Sequence, residues 1–153
     1  HDTLLEAMKR VDIVVINDGE ASMLAGQENV IAAAKAVQKM ASIPTLIVKR
    51  GEHGVIALHG NETIAMPSYP CPEVMDPTGC GDTFAGALAA CLASGKGEMT
   101  VEELRNALTH ATVTASFTLE DFGTTILEKI SQEAYQQRYN SFCDISGISV
   151  ESS

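Results

Sequence analysis

The sequence DPTGCGDTFAGA, at residues 76–87, is the most informative stretch of the chain. Its first two glycines, Gly79 and Gly81, permit backbone conformations and close approaches that a side chain would block. The turn runs directly into a predicted helix that starts near Cys80. The unpaired N–H groups of residues 79–81 can therefore point at an anion, assisted by the helix dipole. The stretch predicts an anion-binding turn at the start of a helix.

Asp82 lies directly beside this turn. A phosphate would repel a carboxylate there unless the carboxylate had a chemical role, and accepting the proton of an attacking hydroxyl is such a role in phosphoryl transfer. The alternative is structural: a glycine-rich turn precedes a helix, and Asp82 interacts favourably with the helix dipole. A G-x-G pattern alone does not decide between these two hypotheses.

Outward from the turn, strand and helix patterns alternate along the chain. Short apolar runs at residues 12–16 and 45–48 predict buried strands, Asn29 is a predicted N-cap, and Gly60-Asn61 predicts a hairpin turn. This alternation indicates an α/β fold with a mostly parallel sheet covered by helices, to which the hairpin is an antiparallel addition. The predicted helices cover residues 3–10, 20–25, 29–40, 80–94, 101–119 and 131–142, and the hairpin strands cover residues 55–59 and 62–66.

Asn17 and Glu20 follow the first predicted strand, at the carboxyl end where open α/β sheets bind their ligands. Side chains three residues apart at the start of a helix face the same side and are suited to organising a hydrated Mg²⁺. A helix-capping turn, with Asn17 or Asp18 as the cap and Glu20 in the first turn, is the simpler explanation of these residues taken alone.

The composition of the 153 residues argues against several classes of protein. Ten Lys and Arg residues against twenty Asp and Glu give a formal net charge of -10, which disfavours binding to a nucleic-acid backbone. No apolar stretch is long enough to span a bilayer, and no signal-peptide pattern opens the chain. The cysteines form neither a zinc nor a disulfide pattern, which predicts reduced thiols in a cytoplasmic protein. They are Cys71, Cys80, Cys91 and Cys143.

The whole string at residues 76–87 closely resembles the second signature of the ribokinase (PfkB) family, usually seen as D-T-x-G-A-G-D-x-F-x-G. The resemblance implies that Asp82 is the catalytic base. It also implies that the backbone of Gly79, Cys80 and Gly81 forms the anion hole for the transferred phosphoryl group. Cys80 replaces the usual Ala, and a hole built from backbone N–H groups should tolerate that change.

Two further matches concern metal ions. Asp76 corresponds to the opening Asp of the signature, which in relatives helps to build the turn and can lie by a monovalent cation such as K⁺. Residues 17–20, N-D-G-E, resemble the family's N-x-x-E motif, which positions the metal and the phosphates. The resemblance therefore favours the metal hypothesis for Asn17 and Glu20, with Mg²⁺ held through water.

Other segments resemble elements that lie along the nucleotide in this family. Residues 49–54, KRGEHG, resemble its T-x-G-x-x-G loop, in which Gly51 is the firmer match. Lys49 stands where Thr is common, and its ammonium group either reaches a phosphate or is solvated. In the long helix after the signature, His110 falls near a position where relatives often carry Asn, although a lone His is more often structural. Gly123 fits a close-approach turn near the nucleotide.

The resemblance covers about residues 12–123 and implies a three-layer, Rossmann-like ribokinase fold. Residues 1–153 would form a single α/β domain, the ATP-binding and catalytic half of a longer kinase whose upstream substrate and lid half is expected to be missing. The implied reaction is phosphorylation of a sugar hydroxyl, with ATP, Mg²⁺ and K⁺ as cofactors and a homodimer as the full-length assembly. Without residues that position the nucleophile, the chain alone should be poorly active.

Three other functions compete with that of a sugar kinase. The acceptor is a nucleoside such as adenosine in some family members. A non-catalytic nucleotide-binding module is the second alternative, and Asp82 counts against it because a pure binder gains nothing from a carboxylate facing phosphate. A dinucleotide-dependent oxidoreductase is the third. It is disfavoured because the turn lacks G-x-G-x-x-G and lies late in the chain rather than after its first strand.

Overall fold

The computed structural model describes residues 2–72, 78–95, 98–120 and 129–149, and the chain divides into two compact units, His1–Pro67 and Ser68–Ser153. The first unit contains α1 (Asp2–Met8), β1 (Ile13–Asn17), α2 (Asp18–Ala25), α3 (Val30–Ala41), β2 (Thr45–Lys49), a 3₁₀ turn (Gly51–His53), β3 (Val55–His59) and β4 (Glu62–Met66). The second unit contains α4 (Cys80–Ala93), α5 (Val101–Thr118) and α6 (Gln132–Ser146). The predicted α/β class is confirmed.

The sheet of the first unit has the strand order β1-β2-β3-β4. β1 and β2 are parallel, and the helices α2 and α3 supply the long crossover that parallel neighbours require. Only this one of the three described strand pairs is parallel, whereas the sequence leads us to expect a mostly parallel sheet. The connection between β2 and β3, residues 50–54, is too short for a crossover, so β3 turns back and pairs antiparallel with β2.

One face of the sheet packs against helices of the same unit. The small side chains of Ala33, Ala34 and Ala41 on α3 are fully buried, which lets this helix lie close to the strands. They belong to a hydrophobic cluster that includes Leu46 from β2 and Leu58 from β3. Because the alanines recur at helical spacing, they form a flat surface on one side of α3 that packs against the sheet.

The opposite face of the sheet is buried as well. Ile47, Ala57 and Ile64 are register neighbours on β2, β3 and β4, and all three are almost completely inaccessible to solvent. Burial on both faces explains why residues 46–48 form a continuous apolar run, with no alternation of apolar and polar side chains.

The helix ends of the first unit follow the expected local rules. Asn29 caps α3, because its Oδ1 accepts a hydrogen bond from the backbone N–H of Ala32 at 2.9 Å. α2 ends at Gly26, which adopts a left-handed conformation with φ of 64°. Both ends agree with the prediction from the sequence.

The described part of the second unit is helical, and α5 contacts both α4 and α6. Leu104, Leu108 and Val113 of α5 are fully buried. Ser131 caps α6 at the predicted start, and the helix continues to Ser146, beyond its predicted end. In the ranges described, no helix combines the length and the hydropathy needed to cross a membrane.

Candidate active site

The turn before α4 has the backbone geometry expected of an anion-binding helix start. Gly79 is the N-cap and lies in the left-handed region, with φ of 82° and ψ of -9°. Its carbonyl accepts the first helical hydrogen bond, from the N–H of Thr83 at 2.9 Å. No side chain of the described residues caps this helix, whereas side chains cap α2, α3, α5 and α6. The first turn of α4 is therefore a helix start without a side-chain cap among the described residues, the kind of helix start that binds anions.

Asp82 lies in that first turn, and its side chain is exposed to solvent. Gly81 precedes it on α4 and is partly exposed. An exposed carboxylate in the first turn of a helix, beside backbone N–H groups, has the arrangement that a base acting next to a bound phosphoryl group needs.

The side chain of Cys80 contacts α5. Its Sγ–H donates to the carbonyl oxygen of Ala115 on α5 at 3.7 Å. The Sγ–H of Cys71 makes the equivalent contact with the next carbonyl, that of Ser116, also at 3.7 Å. Burial raises the pKa of the Cys71 thiol, and Glu120 adds to the increase. The replacement of Ala by Cys therefore adds a contact with α5 and leaves the backbone N–H of residue 80 in place.

The carboxyl ends of β1 and β2 bring two predicted site residues side by side. Asn17 and Lys49 are register partners in the parallel pair. Asn17 also forms a reciprocal cap with Glu20, in which its Oδ1 accepts from the Glu20 N–H at 2.7 Å and its own N–H donates to Glu20 Oε2 at 2.8 Å. The capping alternative is thus confirmed as a structural role for both residues, and the metal role stays a prediction.

Replacing Glu20 by Gln separates the two roles. A glutamine oxygen can still accept from the Asn17 N–H, so the free energy of unfolding should change by less than about 0.5 kcal/mol. Loss of the carboxylate charge should raise the Mg²⁺ concentration needed for half-maximal activity several-fold. The two quantities are measured by chemical unfolding and by a Mg²⁺ titration of turnover.

The matched control for Glu20→Gln is Glu103→Gln. Glu103 forms the same reciprocal cap with Thr100 at the start of α5, with its Oε2 2.8 Å from the Thr100 N. The control should leave the Mg²⁺ requirement unchanged. An unchanged Mg²⁺ requirement in Glu20→Gln as well would limit Glu20 to helix capping.

The loop after β2 contains two glycines with different structural roles. Gly51 has φ of 56°, and a Cβ added to it would lie in open space. Gly54 has φ of 85°, and its Cβ would lie 2.1 Å from the carbonyl oxygen of Met66 and 2.7 Å from the carbonyl carbon of Pro67. The loop conformation therefore depends most strongly on Gly54. From the sequence, Gly51 is the firmer match to the family loop, because the sequence shows the spacing of the motif but not the close contacts of Gly54.

His110 lies in an aromatic cluster between α5 and α6. Its Nδ1 is 2.7 Å from the hydroxyl of Tyr135, and its ring stacks on Tyr139 with centroids 4.6 Å apart. His110, Thr109 and Tyr139 line an open groove of about 420 Å³. Burial raises the pKa of Tyr139 to about 12 and lowers the pKa of His110. The structural interpretation of His110 is confirmed, and its role beside a nucleotide stays a prediction.

The lowered pKa of His110 predicts a pH-dependent stability. The unfolded chain, in which the pKa is about 6.5, binds the proton more readily than the folded protein does, so stability present above that pH should decline as the pH falls below it. His110→Phe keeps an aromatic ring and removes the titrating group. The decline of the unfolding free energy between about pH 7 and pH 5.5 should be smaller in this variant.

His53→Phe is the control for this pH dependence. His53 is exposed, and its only described charged neighbour is Glu52, 3.7 Å away. Its replacement should leave the pH profile as it is in the native protein. Identical profiles for His110→Phe and the native protein would show that His110 does not contribute to the pH dependence.

Comparison with known sequences now defines the family. The family model described as "pfkB family carbohydrate kinase" matches residues 1–130. The chain belongs to the pfkB family. This assignment includes both the turn before α4 and the Asn17–Glu20 cap.

Known pfkB-family relatives and structures of the same fold act on both sugars and nucleosides. The chain is 39% identical to the cytidine kinase of Thermococcus kodakarensis over 97 residues, which are 62% of this chain and 34% of that enzyme. The structure of aminoimidazole riboside kinase from Salmonella enterica matches 90% of this chain and 45% of its own, with a TM-score of 0.76 and 18% identity. Fructokinase from Vibrio cholerae, solved with fructose, ADP and potassium ion, matches 92% of this chain and 43% of its own, with a TM-score of 0.74 and 20% identity.

The structural matches confirm the ribokinase-type fold predicted from the sequence. The chain spans about a third of the cytidine kinase and less than half of the two solved structures. The fold therefore applies to a partial-length pfkB domain.

The predicted site residues of this pfkB chain are distributed over both units. Asn17, Glu20, Lys49 and Gly51 belong to the first unit, and Gly79, Cys80, Gly81, Asp82 and His110 belong to the second. Asp76 and Gly123 lie outside the described residues, and their roles stay predictions. Within the described ranges, no three His, Cys, Asp or Glu side chains are grouped to hold a metal ion.

Proposed function

We propose that this chain is the ATP-binding and phosphoryl-transferring part, a single functional domain over residues 1–153, of a kinase that phosphorylates a sugar hydroxyl. The observation that carries the proposal is the start of α4. A left-handed Gly79 precedes a helix with no described side-chain cap, and Asp82 is exposed in its first turn. Membership of the pfkB family supports phosphoryl transfer as the chemistry. The residues that position the acceptor are expected outside this chain.

Asp82 is the general base in this proposal. It accepts the proton of the acceptor hydroxyl as the hydroxyl oxygen attacks the γ-phosphorus of ATP, the bond from that phosphorus to the β,γ-bridging oxygen breaks, and ADP leaves. The backbone N–H groups of Gly79, Cys80 and Gly81 bind the oxygens of the transferring group. A positioned base contributes about 10²- to 10⁴-fold to such a reaction, and one lost anion-hole donor costs about 10²- to 10³-fold.

Asn17 and Glu20 fit Mg²⁺ bound through water rather than directly. Mg²⁺ retains several of its waters and typically uses one or two carboxylates together with substrate phosphates. Glu20 uses Oε2 in the helix cap, and its Oε1 has no partner among the described residues. Mg²⁺ held near Asn17 and Glu20 would supply positive charge that offsets the charge developing on the phosphates. K⁺ at Asp76 remains part of the proposal because the fructokinase relative was solved with potassium ion.

The nucleotide contacts in this proposal come from Lys49, Gly51, His110 and Gly123. Lys49 supports the proposal by its register position beside Asn17, at the carboxyl end of the parallel strands. His110 supports it by lining a groove beside stacked aromatic rings, which suits a purine or a ribose. We further propose a cytoplasmic protein that is a homodimer at full length. None of the four described cysteines is in a disulfide bond, which is consistent with that location.

A nucleoside is the second candidate acceptor. The specific observation in its favour is the 39% identity to a cytidine kinase, together with the fold shared with a riboside kinase. Both acceptors present a hydroxyl to the same base, so the two candidates share the proposed roles of Asp82 and of the turn before α4.

The test is an assay of ADP release by the protein as its gene encodes it, with Mg·ATP and matched panels of sugars and nucleosides. Turnover that depends on a sugar supports the first candidate, and turnover that depends on a nucleoside supports the second. ATP binding without turnover on any acceptor would contradict both and favour a non-catalytic binding module.

A further inference from the structure

Arg138 on α6 makes a set of contacts that the proposed chemistry does not use. Its Nη2 donates to both carboxylate oxygens of Glu120, at 2.9 and 2.7 Å, and its Nη1 donates to Ser116 Oγ at 3.2 Å. The guanidinium lies 3.7 Å from the ring centroid of Phe117 and 5.1 Å from that of Tyr69. Only 15% of the Arg138 side chain is exposed. The side chain is therefore held on several sides at once.

These contacts converge on the C-terminal turn of α5. Ser116 and Phe117 belong to this turn, and Glu120 lies two residues beyond the helix end. The same turn receives the anion-binding segment, because Cys80 Sγ–H donates to the carbonyl oxygen of Ala115. Residue 115, which supports the start of α4, is thus adjacent in sequence to the residues that Arg138 holds.

The arrangement is better suited to orientation than to stability. Removing a charged pair from water costs much of what the attraction contributes, so an apolar side chain of similar size would serve packing as well. A guanidinium is flat and donates from separate nitrogens, here Nη2 to Glu120 and Nη1 to Ser116, while its face stacks on Phe117. Together these contacts fix its direction. Arg138 therefore restricts how the end of α5 can move.

We propose that Arg138 is a positioning residue for phosphoryl transfer: it fixes the last turn of α5, and through the Cys80–Ala115 contact it fixes the N–H groups of residues 79–81. This inference rests on the proposed function of that turn. Displacement of a catalytic group by about 1 Å can cost about 10²-fold in rate, so loose support of the turn should be visible in kcat.

The kinetic test compares Arg138→Met and Arg138→Lys with the native full-length protein. Both variants should lower kcat, per folded enzyme, by about 10- to 100-fold, with a smaller change in the KM for ATP. Lysine should not rescue the rate, because its single nitrogen lacks the flat face that stacks on Phe117 and the second nitrogen that reaches Ser116. Glu120→Gln should lower kcat in the same direction. Full activity in Arg138→Lys would show that only the charge of residue 138 is needed and would overturn the proposal.

Leu104→Val controls for a general loss of stability. Leu104 is fully buried on α5, outside the turn that Arg138 holds. It should lower thermal stability and leave kcat per folded enzyme within about twofold of the native value. An equal fall in kcat for Leu104→Val and Arg138→Met would reduce Arg138 to a stabilising residue.

Hydrogen exchange separates this proposal from the proposed function. The backbone amide of Thr83, which donates to the Gly79 carbonyl at 2.9 Å, should exchange about tenfold faster in Arg138→Met, while the amides of β2 remain unchanged. Unchanged exchange at Thr83 would overturn the positioning role whether or not the protein turns over. Faster exchange in a protein that phosphorylates no acceptor would retain the positioning role and reject the kinase function.

Discussion

Asp82→Asn is expected to lower kcat by about 10²- to 10⁴-fold, the largest effect of any single change in the candidate site. Asparagine has nearly the same shape as aspartate and can still accept a hydrogen bond, but it cannot take up the proton of the attacking hydroxyl. The position is exposed in the first turn of α4, so folding should be largely unaffected. The measurement is acceptor-dependent ADP release at saturating Mg·ATP, with circular dichroism to establish equal folding.

Asp144→Asn provides the matched control. Asp144 is an exposed carboxylate on α6 of the same unit. Its replacement should leave kcat within about twofold of the native value, as expected for a surface charge that has no proposed role in the reaction. If Asp82→Asn also kept kcat within about twofold of the native value, Asp82 would not be the general base.

Gly54→Ala is expected to lower the free energy of unfolding by roughly 2–5 kcal/mol, because backbone strain and steric overlap both contribute. Gly54 adopts φ of 85° and ψ of -142°, a conformation that is essentially restricted to glycine. The new Cβ would meet the carbonyl oxygen of Met66, which is held in the β3–β4 pair and cannot move away freely. Urea or guanidinium unfolding monitored by circular dichroism measures the change.

Gly60→Ala controls for the left-handed backbone without the overlap. Gly60 has φ of 55°, and nothing lies within 4 Å of its added Cβ. Its replacement should cost roughly 1–2 kcal/mol, the strain of a left-handed residue alone. Equal losses for the two variants would mean that the contact with Met66 relaxes at no cost.

Most of the fold is predictable from local signals. Asn29 and Gly26 mark helix ends because their side chain or backbone chemistry acts within one turn of the chain. The antiparallel pairing of β2 with β3 is harder to infer, since it depends on the reach of the connection at residues 50–54 rather than on the composition of either strand. The apolar run in β2 fits either neighbour orientation.

In the candidate site, too, local features are predictable from the sequence and contacts between distant residues are not. The turn of residues 79–82 is predictable because the glycine positions and the helix start are contiguous. The Asn17–Glu20 pattern is compatible with both a helix cap and a metal site, and the observed hydrogen bonds establish only the cap. The contact of Arg138 with Glu120 joins residues on different elements that no short motif links. For the same reason, the aromatic neighbours of His110 are invisible before the helices are packed.

The most direct single test of the proposed role of Asp82 is the affinity for Mg·ATP of Asp82→Asn, measured by calorimetry on the preparation used for turnover. Removal of a negative charge that faces phosphate should leave the affinity equal or make it tighter, while acceptor-dependent ADP release falls by at least about 100-fold. Retained turnover would contradict the role of Asp82 as the base. Parallel loss of affinity and turnover would show instead that Asp82 supports nucleotide binding or the structure of the turn.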